Sequence, residues 1–295
     1  MNEPFGSHVD LTVFGGPVRV YRSGEDGPPV LLLHGAMLDT ALGIWHDIVP
    51  SLARKYRVYV IDMPRHGASR PWEGFLGDAF YRRFVSELLD RLELQRTAII
   101  GLSLGGGVAL GFALDHPDRV SALIPVAPGG LGAKRPYHFL TWASMRFPGL
   151  LRMYTHYLAR NPGSVGASIE KNLTAGASTP GFGRIVELAI QEAKAKRAYR
   201  EKALDDWQID WYGSPRASSV NHIPHLQSLI VPTLWIRGDR DEAIGHDEMH
   251  KAHKEMPNSR FVTIADAGHL LPWDQPVKFS TVVHGFLDEV IDDEV

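Results

Sequence analysis

One short segment constrains the fold of this chain more than any other: an apolar run that ends in a glycine-flanked serine. The run at residues 97–100 leads directly into Gly101-Leu102-Ser103-Leu104-Gly105, and a helical pattern follows at residues 106–116. A side chain at position 101 or 105 would collide with neighbouring backbone in so tight a turn, and the serine has to adopt a strained φ/ψ combination. The segment therefore predicts a strand, a sharp turn and a helix, with Ser103 exposed at the turn as a candidate nucleophile.

The rest of the chain alternates in the same way between apolar runs and helical patterns. Residues 11–14 and 18–21 read as a hairpin, and buried-strand runs occur at 29–35, 56–62, 122–126, 232–236 and 261–264. Helical patterns separate most of these runs, and Pro276 opens a final one. Continuous apolar strands that alternate with helices indicate an α/β fold, with a mostly parallel sheet covered by helices on both faces.

Residues 131–225 interrupt this alternation. The stretch has helical patterns, many aromatic side chains and no buried-strand run. It predicts a helical insertion between two parts of one α/β core, residues 1–130 and 226–295.

Composition narrows the function classes. The chain has 295 residues, a net charge of -3 and no cysteine. There is no cysteine for a disulfide, a thiol nucleophile or a thiolate metal site, and the charge gives no reason to expect nucleic-acid or membrane binding. Residues 1–6 do not resemble a secretory signal, and the apolar-rich stretch 137–158 contains Arg146 and Arg152, so we expect a cytoplasmic protein without a membrane span.

Chemically competent residues follow several of the predicted strands. Ser103 is one, an acid in Gly238-Asp239-Arg240-Asp241 is the second, and His269 is the third. In a parallel sheet such positions meet at one edge. His269 would take the serine proton as general base, and either Asp239 or Asp241 would orient the imidazole.

Backbone N–H groups would stabilise the negative charge that such an attack creates. The N–H of Leu104 starts a helix beside the serine, and the N–H of Ala36 follows His34-Gly35 at another strand end. One donor of this kind contributes roughly 10²–10³ in rate.

These segments together resemble the α/β-hydrolase family. The motifs are His34-Gly35, the run from Asp62 to Ser69, Gly101 to Gly106, Gly238-Asp239-Arg240-Asp241 and Gly268-His269. The resemblance covers about 9–130 and 226–290, and it implies an α/β-hydrolase fold with an eight-stranded, mostly parallel, twisted sheet and a helical cap inserted after the sixth strand. It assigns the acid to Asp241. Arg65 departs from the family pattern, which often has glycine there.

The substrate pocket is less well specified than the catalytic groups. We expect the aromatic side chains of the insertion to line it, because such pockets have apolar aromatic walls. The predicted substrate-binding residues are His34, Met37, Trp142, Phe147, Trp211 and Leu270. His34 is expected to order the loop of Ala36 rather than to act as a second base. His246, His250 and His253 have a metal-compatible spacing on one helix face but are read as a solvated face, and neither a metal nor a cofactor is expected.

The favoured function is hydrolysis of small to medium apolar carboxylic esters through an acyl-enzyme. A carbon–carbon bond hydrolase of the meta-cleavage-product type is the alternative, because Trp273 lies four residues after His269 as in that subfamily. Two features argue against this alternative. The chain has Leu102 where that subfamily usually has Asn, and it lacks the subfamily's glycine-rich loop after His34. A lactonase, a perhydrolase or a non-catalytic small-molecule receptor remain open, as does the oligomeric state.

Overall fold

The computed structural model describes residues 5–135 and 137–292, and within them the chain forms one eight-stranded sheet. The strands are β1 (Ser7–Val13), β2 (Gly16–Ser23), β3 (Pro29–Leu33), β4 (Arg57–Ile61), β5 (Thr97–Leu102), β6 (Val120–Val126), β7 (Thr233–Gly238) and β8 (Ser259–Ile264). Residues 1–4, on which most of the expectation about the N-terminus rests, lie outside the described ranges.

The strand order is β1-β2-β4-β3-β5-β6-β7-β8. The first two strands form the expected hairpin, β2 runs antiparallel to β4, and every other neighbouring pair is parallel. The central strand β5 is buried along its whole length. The predicted fold class is therefore confirmed, and the carboxyl ends of β3, β5, β7 and β8 lie along one edge.

Helices surround this sheet. They are α1 (Ala41–Ile44), α2 (Val49–Leu52), α3 (Asp78–Arg91), α4 (Leu104–Asp115), α5 (His138–Arg146), α6 (Leu150–Arg160), α7 (Pro162–Asn172), α8 (Phe182–Ala198), α9 (Asp206–Trp211), α10 (His246–Glu255), α11 (Leu271–Asp274) and α12 (Pro276–Asp292). Helix α4 is buried on all sides, as its continuous apolar sequence requires.

Helices α5 to α9 lie between β6 and β7, in the stretch predicted as an insertion. The described part of that stretch has no strand. It has a small apolar core of its own, made of Leu158, Ala159, Val165, Ala189, Ala193 and Ala203. The division into a core and a separate insertion remains a prediction, which these two features support.

None of the helices in the described residues has both the length and the apolar character needed to cross a membrane.

Candidate active site

Ser103 occupies the sharp turn between β5 and α4. Its backbone has φ 54° and ψ −110°, a strained combination for a residue with a side chain. A Cβ on Gly101 would lie 2.3 Å from the carbonyl oxygen of Gly105, and a Cβ on Gly105 would lie 2.4 Å from that of Leu33. The two glycines are thus required by close backbone packing at this turn.

His269 and Asp241 come together from the loops after β8 and β7. The Nδ1 of His269 lies 3.0 Å from Oδ2 of Asp241. The other oxygen of Asp241 accepts hydrogen bonds from the N–H groups of Ala243, at 2.7 Å, and Ile244, at 3.1 Å. Burial raises the pKa of Asp241, but the hydrogen bond and charge of His269 outweigh it, so the pKa lies below its ordinary value.

The competing acid, Asp239, has a different position. Its side chain is exposed and accepts the N–H of Ala267 at 3.1 Å. Its carboxylate fixes the loop that precedes His269, whereas the carboxylate of Asp241 meets the imidazole. The geometry therefore favours Asp241 as the acid, in agreement with the family resemblance.

Ser103 and His269 line one cavity of about 420 Å³. This cavity, which we call the main cavity, has a wall formed by Gly35, Ala36, Met37, Asp39, Leu102, Arg135, Thr141, Met145, Leu204, Gln208, Trp211, Tyr212, Ala243, Ile244 and Leu270. Its volume is within the range of roughly 300–1,000 Å³ typical of small-molecule sites. Because Nδ1 of His269 is engaged with Asp241, Nε2 is the ring nitrogen left for Ser103.

The loop after β3 lines this cavity, and two carboxyl side chains engage N–H groups of the loop. The N–H of Gly35 donates to Oδ2 of Asp39 at 2.8 Å, and the N–H of Met37 donates to Oδ2 of Asp205 at 2.8 Å. Within the described residues the N–H of Ala36, between them, has no acceptor. Leu104 is the first residue of α4, so its N–H has no intrahelical acceptor. Ala36 and Leu104 are thus available as the predicted oxyanion donors.

His34 is fully buried and is not among the residues that line the main cavity, so the structure gives no support to a direct contact with substrate. Its Nδ1–H donates to the carbonyl oxygen of Gly35 at 2.7 Å, and its Nε2 accepts the N–H of Met63 at 3.0 Å. Because Nε2 accepts a hydrogen bond and therefore carries no proton, the ring is neutral. Burial accordingly lowers its pKa well below the usual value. These bonds agree with the expectation that His34 orders the loop.

Only some of the other predicted substrate-binding residues lie on the cavity wall. Met37, Trp211 and Leu270 line the main cavity, whereas Trp142 and Phe147 do not. Phe147 is 66% exposed, and Trp142 stacks on Phe139 under the guanidinium of Arg146. Trp142 lies on α5 and Phe147 directly follows it, and one sequence without its helix packing could not reveal their orientation.

Sequence reasoning also missed residues on the cavity wall. Arg135 lies there with its guanidinium 4.8 Å from the Trp211 ring and one nitrogen, Nη1, that makes no hydrogen bond within the described residues. A second cavity of about 230 Å³, lined by Ile169, Ala189 and Trp273 among others, also reaches His269. No sequence motif marks Arg135, Ile169 or Ala189, because their positions are set by how the inserted helices pack.

Two other sequence features have structural explanations. Arg65 has φ 66°, in the left-handed region where glycine is favoured, and its side chain binds Oδ2 of Asp206 at 2.6 Å. The rings of His246, His250 and His253 all pack near Phe261, so this helix face is less solvated than expected. In the described ranges no group of His, Cys, Asp and Glu side chains is arranged to hold a metal ion.

Comparisons with known proteins agree with this architecture. A family model described as alpha/beta hydrolase fold matches residues 28–276. The chain is 28% identical over 271 residues to a pimeloyl-[acyl-carrier protein] methyl ester esterase of Aeromonas hydrophila, covering 92% of this chain and 99% of that one. It is 25% identical over 276 residues to a 2-hydroxy-6-oxo-6-phenylhexa-2,4-dienoate hydrolase of Comamonas testosteroni, covering 90% of each.

Among solved structures, a thermophilic esterase from Thermogutta terrifontis has a TM-score of 0.75 at 24% identity, covering 97% of this chain and 99% of that one. At this identity the likeness concerns the fold alone.

Proposed function

Because the chain belongs to the α/β-hydrolase fold family, we propose that it is a serine hydrolase that cleaves small to medium apolar carboxylic esters. One observation supports this above the others. Ser103, on a strained turn, shares a largely apolar cavity with His269, and Nδ1 of His269 lies 3.0 Å from the buried carboxylate of Asp241. Serine, base and acid in that relation are the arrangement needed for acyl transfer.

In the proposed reaction the Oγ of Ser103 attacks the ester carbonyl carbon while its proton passes to Nε2 of His269. Asp241 stabilises the imidazolium, and the N–H groups of Ala36 and Leu104 bind the oxyanion. Collapse of this intermediate expels the alcohol, which takes the proton from His269 and leaves an acyl-enzyme. Water then attacks the acyl carbon with His269 again as base, and the acid is released.

The proposed substrate class follows from the cavity walls. Met145, Leu204, Trp211 and Leu270 give an apolar lining next to the serine. Helices α5 to α9 of the insertion supply several of these side chains, so we propose that residues 131–225 act as a cap that sets specificity.

Covalent labelling tests the nucleophile directly. A fluorophosphonate probe should modify wild-type protein at Ser103, and Ser103→Ala should lose both the label and turnover of p-nitrophenyl butyrate by roughly 10⁴-fold or more. The matched control is Ser144→Ala, because that exposed hydroxyl lies on α5 and only bonds the carbonyl of Thr141. Labelling that persists in Ser103→Ala, or that is absent from the wild type, would contradict the assignment of Ser103 as the nucleophile.

Carbon–carbon bond hydrolysis is a second candidate, and the guanidinium of Arg135 favours it. The relative from C. testosteroni acts on a dienoate, which has a carboxylate. Arg135 on the wall of the main cavity could pair with such a group through its Nη1, which makes no hydrogen bond within the described residues and lies 3.9 Å from Oε2 of Glu248. Trp273, the sequence signal for this class, instead donates its indole N–H to the carbonyl of Gly43 at 3.0 Å, which is a packing role.

One variant separates the two candidates. Arg135→Gln should lower kcat/KM for a vinylogous 1,5-diketone acid by about 10-fold or more if that acid is the substrate, because it removes a charge-assisted pair. Neutral p-nitrophenyl esters should be affected by less than about threefold, since they have no carboxylate to bind. Wild-type cleavage of the diketone acid well above ester cleavage would make the second candidate the function.

A further inference from the structure

A carboxylate from the inserted helices reaches into the loop that holds the proposed oxyanion donor. Asp205 precedes α9, and its buried Oδ2 accepts the N–H of Met37 at 2.8 Å. Its Oδ1 accepts a hydrogen bond from Nζ of Lys196, at 2.8 Å, and Lys196 is a buried side chain of α8. The Nε2 of His66 lies 3.4 Å from the same Oδ2.

The partners of Asp205 keep it ionised. Burial by itself raises the pKa of a carboxyl group, but the charge and hydrogen bond of Lys196, together with the nearby ring of His66, hold the pKa of Asp205 below its ordinary value. The bond to Met37 is therefore charge-assisted, which makes it roughly twice as strong as a neutral one.

The backbone that Asp205 holds is strained. Met37 has φ 66°, a left-handed conformation that a side chain disfavours and that persists only where surrounding contacts enforce it. On the other side of Ala36, Asp39 holds the N–H of Gly35 at 2.8 Å. Two carboxylates thus engage the N–H groups on both sides of Ala36, which leaves the N–H of Ala36 toward the cavity shared with Ser103.

We infer that Asp205 is a positioning residue: by holding Met37 in its strained conformation, it aims the N–H of Ala36 at the oxyanion formed on Ser103. This inference rests on the proposed function and adds one consequence to it. The inserted helices then contribute to transition-state stabilisation as well as to the pocket wall, because the residue that fixes the oxyanion loop belongs to them.

The neighbouring residue provides a matched control. Asp206 is also a buried carboxylate that joins the inserted helices to the core, through Nη1 of Arg65 at 2.6 Å and the N–H of Leu76 at 3.1 Å. Its hydrogen bonds include none to residues 34–39. A purely structural role for Asp205, which also caps α9 in a capping box with Gln208, would lower stability without a selective loss of kcat.

The kinetic test compares these two variants on p-nitrophenyl butyrate and on a trifluoromethyl ketone, which forms an oxyanion adduct with the serine. Asp205→Ala should lower kcat by about 10- to 100-fold and weaken ketone binding by a similar factor, with KM within about threefold, because a misaimed donor acts on the transition state. Asp206→Ala should keep kcat and ketone affinity within about threefold of wild type. Should Asp205→Ala fail to fold, Asp205→Asn tests the same bond with a neutral side chain of the same shape.

A second readout works without any substrate. Amide hydrogen exchange in a peptide covering residues 34–40 should become faster in Asp205→Ala and stay unchanged in Asp206→Ala. A wild-type protein that hydrolyses no ester would end the proposed function, and the exchange measurement would still decide whether Asp205 holds the loop. Equal kinetics and equal exchange in the two variants would overturn the inference.

Discussion

At the scale of single residues, the turn around Ser103 leaves no room for a side chain at Gly101 or Gly105, because a Cβ at either one would overlap backbone atoms. Beside this turn, His34 is fully buried, donates to the carbonyl oxygen of Gly35 and accepts the N–H of Met63, so its ring orders the loop after β3.

Gly105 provides the first prediction. Gly105→Ala places a Cβ 2.4 Å from the carbonyl oxygen of Leu33, where only backbone could give way. We expect the free energy of unfolding to fall by roughly 1–3 kcal/mol or more and kcat to fall with it, measured by urea titration and ester turnover. The control is Gly285→Ala in α12, where a Cβ meets nothing within 4 Å and helix propensity should raise stability by about 1 kcal/mol. Equal effects would contradict the backbone-contact explanation.

The pH dependence of turnover gives the second prediction. The pKa of Asp241 is depressed in the folded protein, so its stabilising contribution is present above the unfolded value of about 3.9 and is lost only as the pH falls through the lower folded value. The carboxylate is therefore ionised throughout the range in which a histidine base titrates. We expect kcat/KM for an ester to decline on acidification as the base becomes protonated.

The same experiment has a matched pair of variants. Asp241→Asn should lower kcat by roughly 10³–10⁴-fold, because the imidazole loses its orienting charge. Asp239→Asn should retain most of the activity, since its exposed carboxylate interacts with loop N–H groups and with Arg240 rather than with His269. A profile that is flat down to pH about 4 would rule out a histidine base.

At the scale of elements, strands and their order were easier to predict than the inserted helices. A strand buried on both faces has a continuous apolar sequence that can be read directly, as in β3 and β5. The inserted helices expose and bury aromatic side chains alike: Trp211 lines the main cavity and Phe147 lies in solvent. Residue type therefore does not determine which aromatic contacts substrate, because helix orientation decides it.

The buried ion pair between the insertion and the core gives the third prediction. Glu192 of α8 pairs with Arg70 of the core, and both side chains are buried. Glu192→Ala leaves the guanidinium with only Glu201 as a charged partner, and we expect a loss of about 3–5 kcal/mol in the free energy of unfolding. The surface pair of Glu87 and Arg91 on α3 is the control, where Glu87→Ala should change stability by less than about 0.5 kcal/mol. A similar loss in both variants would mean that burial does not matter here.

At the scale of the whole molecule, the candidate site is assembled from segments that lie far apart in the chain. Ala36 follows β3, Ser103 follows β5, Asp241 follows β7 and His269 follows β8. The parallel order of these strands, rather than local sequence, brings the groups together, which is why the catalytic set could be predicted once the fold class was. Of the cavity wall only Met37, Trp211 and Leu270 were among the predicted substrate-binding residues, and Arg135 and Asp205 were not, because their positions depend on how the inserted helices are placed over that edge.

Three contacts join the insertion to the core, and they give the last prediction. They are the ion pairs of Arg70 with Glu192 and of Arg65 with Asp206, and the hydrogen bond from the N–H of Met37 to Asp205. Because separating the two would leave charges buried without partners, we expect them to unfold together. In a urea titration, loss of ester turnover should coincide with loss of far-UV circular dichroism and with the change in tryptophan fluorescence. Glu192→Ala should weaken the connection, so that turnover is lost at lower urea than the secondary structure. Turnover that disappears well before secondary structure in the wild type would instead mean that the insertion opens independently of the sheet.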